Sequence, residues 1–202
     1  RAAADLIVRG GTVVSVHTGE LLERDVVIAG QHVAAITPTG RFEADDILDA
    51  TGLHVAPTFV DSHMHMEYSM LTPGELARLT VPRGTGTILA DPLCLANVIG
   101  AHAFDIAAGS GTPLRVFLQV SFQVPRAPTL ERGGAVVADD ETIARVHDAL
   151  AVALGEGNPF DLDDRSARKQ AATLAAGRRV VGHTARLADE ALWAYVAGGV
   201  AD

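Results

Sequence analysis

The sequence predicts an α/β protein, a parallel sheet wound with helices into a partial (β/α)8 barrel of about five of eight strands, preceded by a small β region. Three observations carry this. Residues 5–56 are short β-branched segments with turn punctuation, and from Pro57 the rhythm changes to apolar strand, helix, apolar strand, helix. Strands without a polar face, alternating with helices, indicate a parallel sheet covered on both sides. Ligand-type residues also stand at or near the carboxyl ends of several strands, the pattern of a barrel mouth. An open doubly wound sheet, the alternative, would gather them at one switch point.

Taken in order, residues 5–16 are β-branched on both sides of Gly10-Gly11, a turn signal. Residues 25–30 and 32–36 flank Gly30-Gln31 and read as a hairpin. Residues 47–57 complete a small sheet. Residues 59–65 are the first strand of the barrel. The helix over 73–79 has Thr72 as N-cap and proline in its first turn. A second strand at 85–91 precedes a helical pattern over 95–108, and 114–120 is a third, almost wholly apolar strand. The helix at 139–150 carries acidic residues in its first turn, which suits the macrodipole. A fourth strand at 152–156, a helix at 164–176, a fifth strand at 179–183 and a helix at 189–197 follow, with Trp193 and Tyr195 as packing residues. A sixth strand would begin at Gly198. The expected domains are 1–56 and 57–202, the second an unfinished barrel, so the chain reads as the N-terminal part of a longer protein.

With 202 residues, 48% of them apolar, the chain can bury a core and is not disordered. A net charge of −9 argues against nucleic acid or an anionic membrane as partner. No window is long and apolar enough for a helical membrane span. The single cysteine, Cys94, excludes an internal disulfide and fits a reducing compartment, so a cytoplasmic location is expected.

The chemistry starts at Phe59-Val-Asp-Ser-His-Met-His65. Residues i and i+2 of a strand share a face, so His63 and His65 project side by side while Met64 turns away. Two neutral imidazoles on a rigid strand end are half a site for a divalent transition metal. Glu156 at the end of the fourth strand and His183 at the end of the fifth are the further ligand types. A carboxylated lysine is excluded as a bridge, because the only lysine, Lys169, falls in a helical run. Asp91, ending the second strand, and Glu67, two residues past His65, are the candidate catalytic carboxylates. Glu67 shares the histidines' face only if the strand continues. His17, His32, His54, His102 and His147 lie without acidic companions at ligand spacing or in helical segments, and read as structural or exposed.

The stretch from Ala56 through Phe-Val-Asp-Ser-His-Met-His to Thr72-Pro73 closely resembles the first barrel strand of the adenine deaminases, metal-dependent members of the amidohydrolase superfamily. The resemblance continues through Val81-Pro-Arg-Gly-Thr-Gly-Thr-Ile-Leu-Ala-Asp-Pro92, Leu130-Glu-Arg-Gly-Gly-Ala135, Leu154-Gly-Glu156, Gly182-His183 and Ala197-Gly-Gly-Val200. Residues 5–12 also look like the first half of the β-sandwich that precedes the barrel in that superfamily. The resemblance implies hydrolysis of adenine to hypoxanthine and ammonia. It also implies a centre of two metal ions, manganese or iron with zinc possible. His63 and His65 would hold one ion, Glu156 would bridge, and His183 would hold the second. The partners implied are a small-molecule purine or similar heterocycle and, as a possible assembly, a homo-oligomer.

Some residues depart from the family pattern. Leu93-Cys94 stands where the family carries His-Glu after Asp-Pro, and neither side chain relays protons in the same way. Asn158-Pro159, Gln123 and Thr184-Ala185-Arg186 also differ. Ligands kept while the substrate shell changes leave a rival reading, an amidohydrolase acting on a cyclic amide or another aminated heterocycle. A third reading is an inactive fragment.

Overall fold

The computed structural model describes residues 4–109, 111–158, 163–184 and 186–201. Pro159 and Ala185, two of the departing positions, lie outside the described residues. The chain divides into two compact units, one ending at Pro57 and the other starting at Thr58.

The N-terminal unit is one mixed sheet of five strands: β1 (Ala4–Ser15), β2 (Glu20–Ala29), β3 (His32–Thr37), β4 (Ala44–Asp49) and β5 (His54–Val55). β1 is central, antiparallel to β2 and parallel to β4 and β5, and the hairpin between β2 and β3 turns at Gly30-Gln31. The turn expected at Gly10-Gly11 is instead a bulge inside β1, where the register against β2 slips between Val8 and Gly11. Gly10 adopts φ +73°, and its N–H donates to the buried Asp25 carboxylate at 2.9 Å, as does Gly40 N–H at 3.0 Å. Glycine tolerates that φ, so the strand bends without ending.

The second unit holds five parallel strands: β6 (Phe59–Met64), β7 (Thr85–Ala90), β8 (Arg115–Ser121), β9 (Ala151–Gly157) and β10 (Arg179–Gly182). Their order in the sheet is strictly sequential, β6 to β10. A doubly wound sheet reverses direction at a switch point, and this one does not. Val200 bridges Val180 in parallel beyond β10. The connections carry α1 (Pro73–Thr80), α2 (Leu93–Ile99), α3 (His102–Ala108), α4 (Asp139–Val146), α5 (Asp164–Ala175) and α6 (Asp189–Ala197).

Two helices run shorter than their sequence pattern. The 95–108 pattern breaks at Gly100, which takes φ +68° and separates α2 from α3. α4 stops at Val146, and residues 147–150 form a turn, with Ala151 N–H donating to Asp148 O at 3.0 Å where β9 begins.

Alternation sorts the barrel strands. Ile88, Ala90, Leu118, Val120 and Leu154 pack with Leu76, Leu93, Phe104 and Val146 of the helices in the main core, and Met64 leans on it. Leu89, Gln119 and Val181 take the opposite, concave face with His63. Tyr195 packs α6 against Val180 and Val200, whereas Trp193, expected to pack as well, is 68% exposed.

Candidate metal centre

Parallel register sets the site. Met64 pairs with Ala90, Asp91 N–H donates to Met64 O, and His183 N–H donates to Gly157 O, so the carboxyl ends of β6, β7, β9 and β10 share one rim. β6 and β9 are three strands apart, roughly 14 Å in a flat sheet. Yet Glu156 Oε1 lies 2.9 Å from His63 Nε2, 3.5 Å from His65 Nε2 and 3.1 Å from His183 Nε2. The sheet is therefore curled, with these side chains meeting across its concave face.

His63, His65 and Glu156 are the group that, among the described residues, offers ligand atoms all within 4.8 Å of one another. His183 joins through Glu156 and is the most exposed member, at 60% against 17% for the Glu156 side chain. The cleft beside them, of about 380 Å³, is lined by Ser62, His63, Gln119, Glu156, Val181 and His183, among others.

The imidazoles are oriented from behind. His65 Nδ1 donates to the backbone oxygen of Asp91 at 2.7 Å, and His63 Nδ1 meets Gln119 Oε1. The two rings stand edge to face, 4.9 Å between centroids. Without a metal, the hydrogen bond to Glu156 raises the His65 pKa to about 9 against the opposing effect of burial. The same contact raises His63, and the Glu156 carboxyl falls well below the usual range because both histidines donate to it.

Asp91 ends β7 as expected, but its backbone carbonyl, not its carboxylate, orients His65. The carboxyl is fully enclosed and bonded to Ser121 Oγ, and burial raises its pKa to about 7. Glu67 does not continue the strand alternation, since β6 ends at Met64 and a 3-10 turn spans Met66–Ser69. Its Oε1 accepts instead from Cys94 N–H at 2.7 Å and Leu95 N–H at 3.3 Å, at the start of α2. Cys94 is half-buried, its thiol donates to Tyr68 Oη at 3.2 Å, and burial pushes its pKa up. Tyr68 in turn lies against the His65 ring. Lys169 is buried, donating to Phe122 O at 2.7 Å and pairing with Asp139 at 3.1 Å. Gln119 was the residue sequence reasoning passed over, although an amide within an otherwise apolar strand was the signal.

Nearly the whole chain aligns with curated relatives of one kind. The adenine deaminase of Halalkalibacterium halodurans is 37% identical over 203 residues, 98% of this chain and 34% of the relative. The chain is similar to adenine deaminases. Adenine deaminase 2 of Rhizobium meliloti (37% over 207 residues) and the adenine deaminase of Moorella thermoacetica (35% over 206 residues) are each covered to 35% by 98% of this chain. The chain thus spans about a third of the length of the curated relatives it matches. No protein-family model matches it.

Solved structures agree on the fold. An N-acyl-D-glutamate deacylase from Bordetella bronchiseptica, complexed with zinc and a phosphonate inhibitor, superposes with a TM-score of 0.60 at 17% identity, over 97% of this chain and 48% of that one. A dihydroorotase gives 0.58 at 15% identity, over 89% and 51%. A D-aminoacylase that defines a subset of amidohydrolases gives 0.53 at 18%, over 96% and 48%. The five strands of the second unit accordingly have the fold of part of a (β/α)8 barrel.

Proposed function

We propose that this protein is a metal-dependent hydrolase that deaminates an aminopurine, converting adenine and water to hypoxanthine and ammonia. The observation that carries it is the meeting of three imidazole nitrogens on one carboxylate oxygen at the barrel rim, in a chain similar to adenine deaminases. The donor set suits a divalent transition ion, and both strand-end histidines have Nδ1 engaged so that Nε2 faces the shared point. His63 and His65 would hold one ion, Glu156 would bridge, and His183 would hold a second, with manganese or iron the metals proposed and zinc possible. A divalent ion bound there would supply Lewis acidity, bringing the ionisation of water toward neutral pH.

The chain's own groups do the rest. His183 reaches Glu156 Oε1 from the end of β10, opposite the paired histidines of β6 in the strand order. Asp91, too enclosed to touch substrate, orients His65 through its backbone oxygen while Ser121 Oγ holds its carboxyl. Glu67 fastens the segment after β6 to the first turn of α2, and so keeps Tyr68 against His65.

A cyclic amide or another aminated heterocycle is the second reading, favoured by Leu93-Cys94 beside the site, where the half-buried thiol offers no acid or base near neutral pH. Ammonia release by the full chain loaded with manganese separates the two. Turnover of adenine, lost in Glu156→Gln, is expected. Turnover of cyclic amides with none of adenine would overturn the aminopurine reading.

A further inference from the structure

Gln119 is 3% exposed and sits on the concave face of β8, across β7 from His63. A buried amide has an accepting end and a donating end, and both need partners. Its Nε2 lies 2.9 Å from the Ser62 carbonyl oxygen, which can only accept. The amide nitrogen must face that carbonyl, because the reverse orientation sets two acceptor oxygens against each other. Oε1 then faces His63 Nδ1, and an acceptor there demands a proton on that nitrogen. The ring's other nitrogen, Nε2, points at Glu156 Oε1, 2.9 Å away.

His65 reaches the same state through a backbone carbonyl, that of Asp91. Any residue at 91 could supply that oxygen, whereas the acceptor behind His63 depends on the side chain at 119. The Ser62 bond makes the dependence sharper. It ties Gln119 to the strand that carries His63, so the acceptor and the ring keep their relative position.

We propose that Gln119 is a positioning residue of the metal centre: by accepting from His63 Nδ1–H it fixes the tautomer and rotation of that imidazole and so presents Nε2 as the ligand atom. The proposal rests on the metal-binding reading above. A residue of this kind affects affinity more than folding, and losing such an outer partner weakens metal binding by about 10- to 100-fold.

The test is zinc titration of the metal-free full chain in competition with a chelator, for wild type, Gln119→Leu and Gln119→Glu, alongside thermal unfolding of each metal-free protein. Gln119→Leu should bind zinc roughly 10- to 100-fold more weakly. Gln119→Glu, which again places an accepting oxygen at Nδ1 but must carry a proton on its other oxygen to meet the Ser62 carbonyl, should recover part of that loss. Wild-type affinity in Gln119→Leu, or an equal loss in both variants that tracks their metal-free stability, overturns the proposal and leaves the metal reading standing. Failure of wild type to bind zinc takes down both. Should the leucine variant not fold, ¹⁵N shifts of His63 in zinc-loaded wild type decide. A protonated Nδ1 with Nε2 ligated is expected, and the opposite assignment contradicts it.

Discussion

Glu156 draws three imidazole nitrogens to one oxygen, and the pH dependence of the metal-free protein follows from it. The His65 pKa is raised from 6.5 to about 9, so its contribution is complete below 6.5 and is lost as pH rises through about 9. Asp91 works in the same direction: its raised carboxyl pKa favours the neutral form, and stability falls as pH climbs from the ordinary carboxylate range through about 7. Glu156 is depressed, so its share is present above the ordinary carboxylate pKa and fades in acid. Metal-free protein should therefore lose thermal stability between about pH 6 and pH 9, and Glu156→Gln should flatten that limb. Melting curves across the range check this, and a wild-type profile that rises toward pH 9 would contradict it. At this scale the sequence was readable where chemistry is written as spacing. His63 and His65 two apart, and Glu156 and His183 at strand ends, are the residues the structure draws to one point. Gln119 was not readable in the same way, because its importance lies in a contact between strands that are not neighbours in the sheet.

Among the elements, two contacts hold the connections that carry the site. Gly133 lies where an added Cβ would come 2.0 Å from the Asn97 carbonyl oxygen of α2, and that backbone cannot yield cheaply. Ala135 N–H donates to the same oxygen at 3.1 Å, so the loop after β8 is moored there. Gly133→Ala should lower stability by more than about 1 kcal/mol, the middle of the range for point mutants. A neutral result in denaturant unfolding would show that the loop shifts freely. Lys169 of α5 joins Asp139 of α4 to the Phe122 carbonyl beyond β8. Lys169→Ala leaves the Phe122 carbonyl without its donor while Asp139 keeps Arg165 at 2.6 Å, and should cost about 1–3 kcal/mol. Element types were legible from periodicity. Their ends were less so: Gly10-Gly11 reads as a turn until Asp25 is seen accepting from the bulge, and the 139–150 pattern gives way after Val146 to a turn that leads into β9.

For the barrel unit as a whole, the sequential order of five parallel strands distinguishes a curled sheet from a doubly wound one. The order itself was not visible in the sequence, where both architectures show the same alternation. What pointed to the barrel was the spread of ligand types over several strand ends, and the curl is what lets residues 63, 65, 156 and 183 meet. The centre that results should couple metal to folding. An ion that binds only the folded chain stabilises it by about 2.7 kcal/mol at a hundred times its dissociation constant. Added manganese or zinc should raise the melting temperature and a chelator should reverse the gain.

A cation shared by Glu156 and the imidazoles around it is the centre on which the proposed chemistry depends. Anomalous diffraction from crystals of the full chain, collected on either side of the absorption edge of the added metal, locates that cation directly. A peak within bonding distance of Glu156, His63 and His65 is the predicted result. A peak elsewhere, or none in crystals grown with the metal in excess, would contradict it.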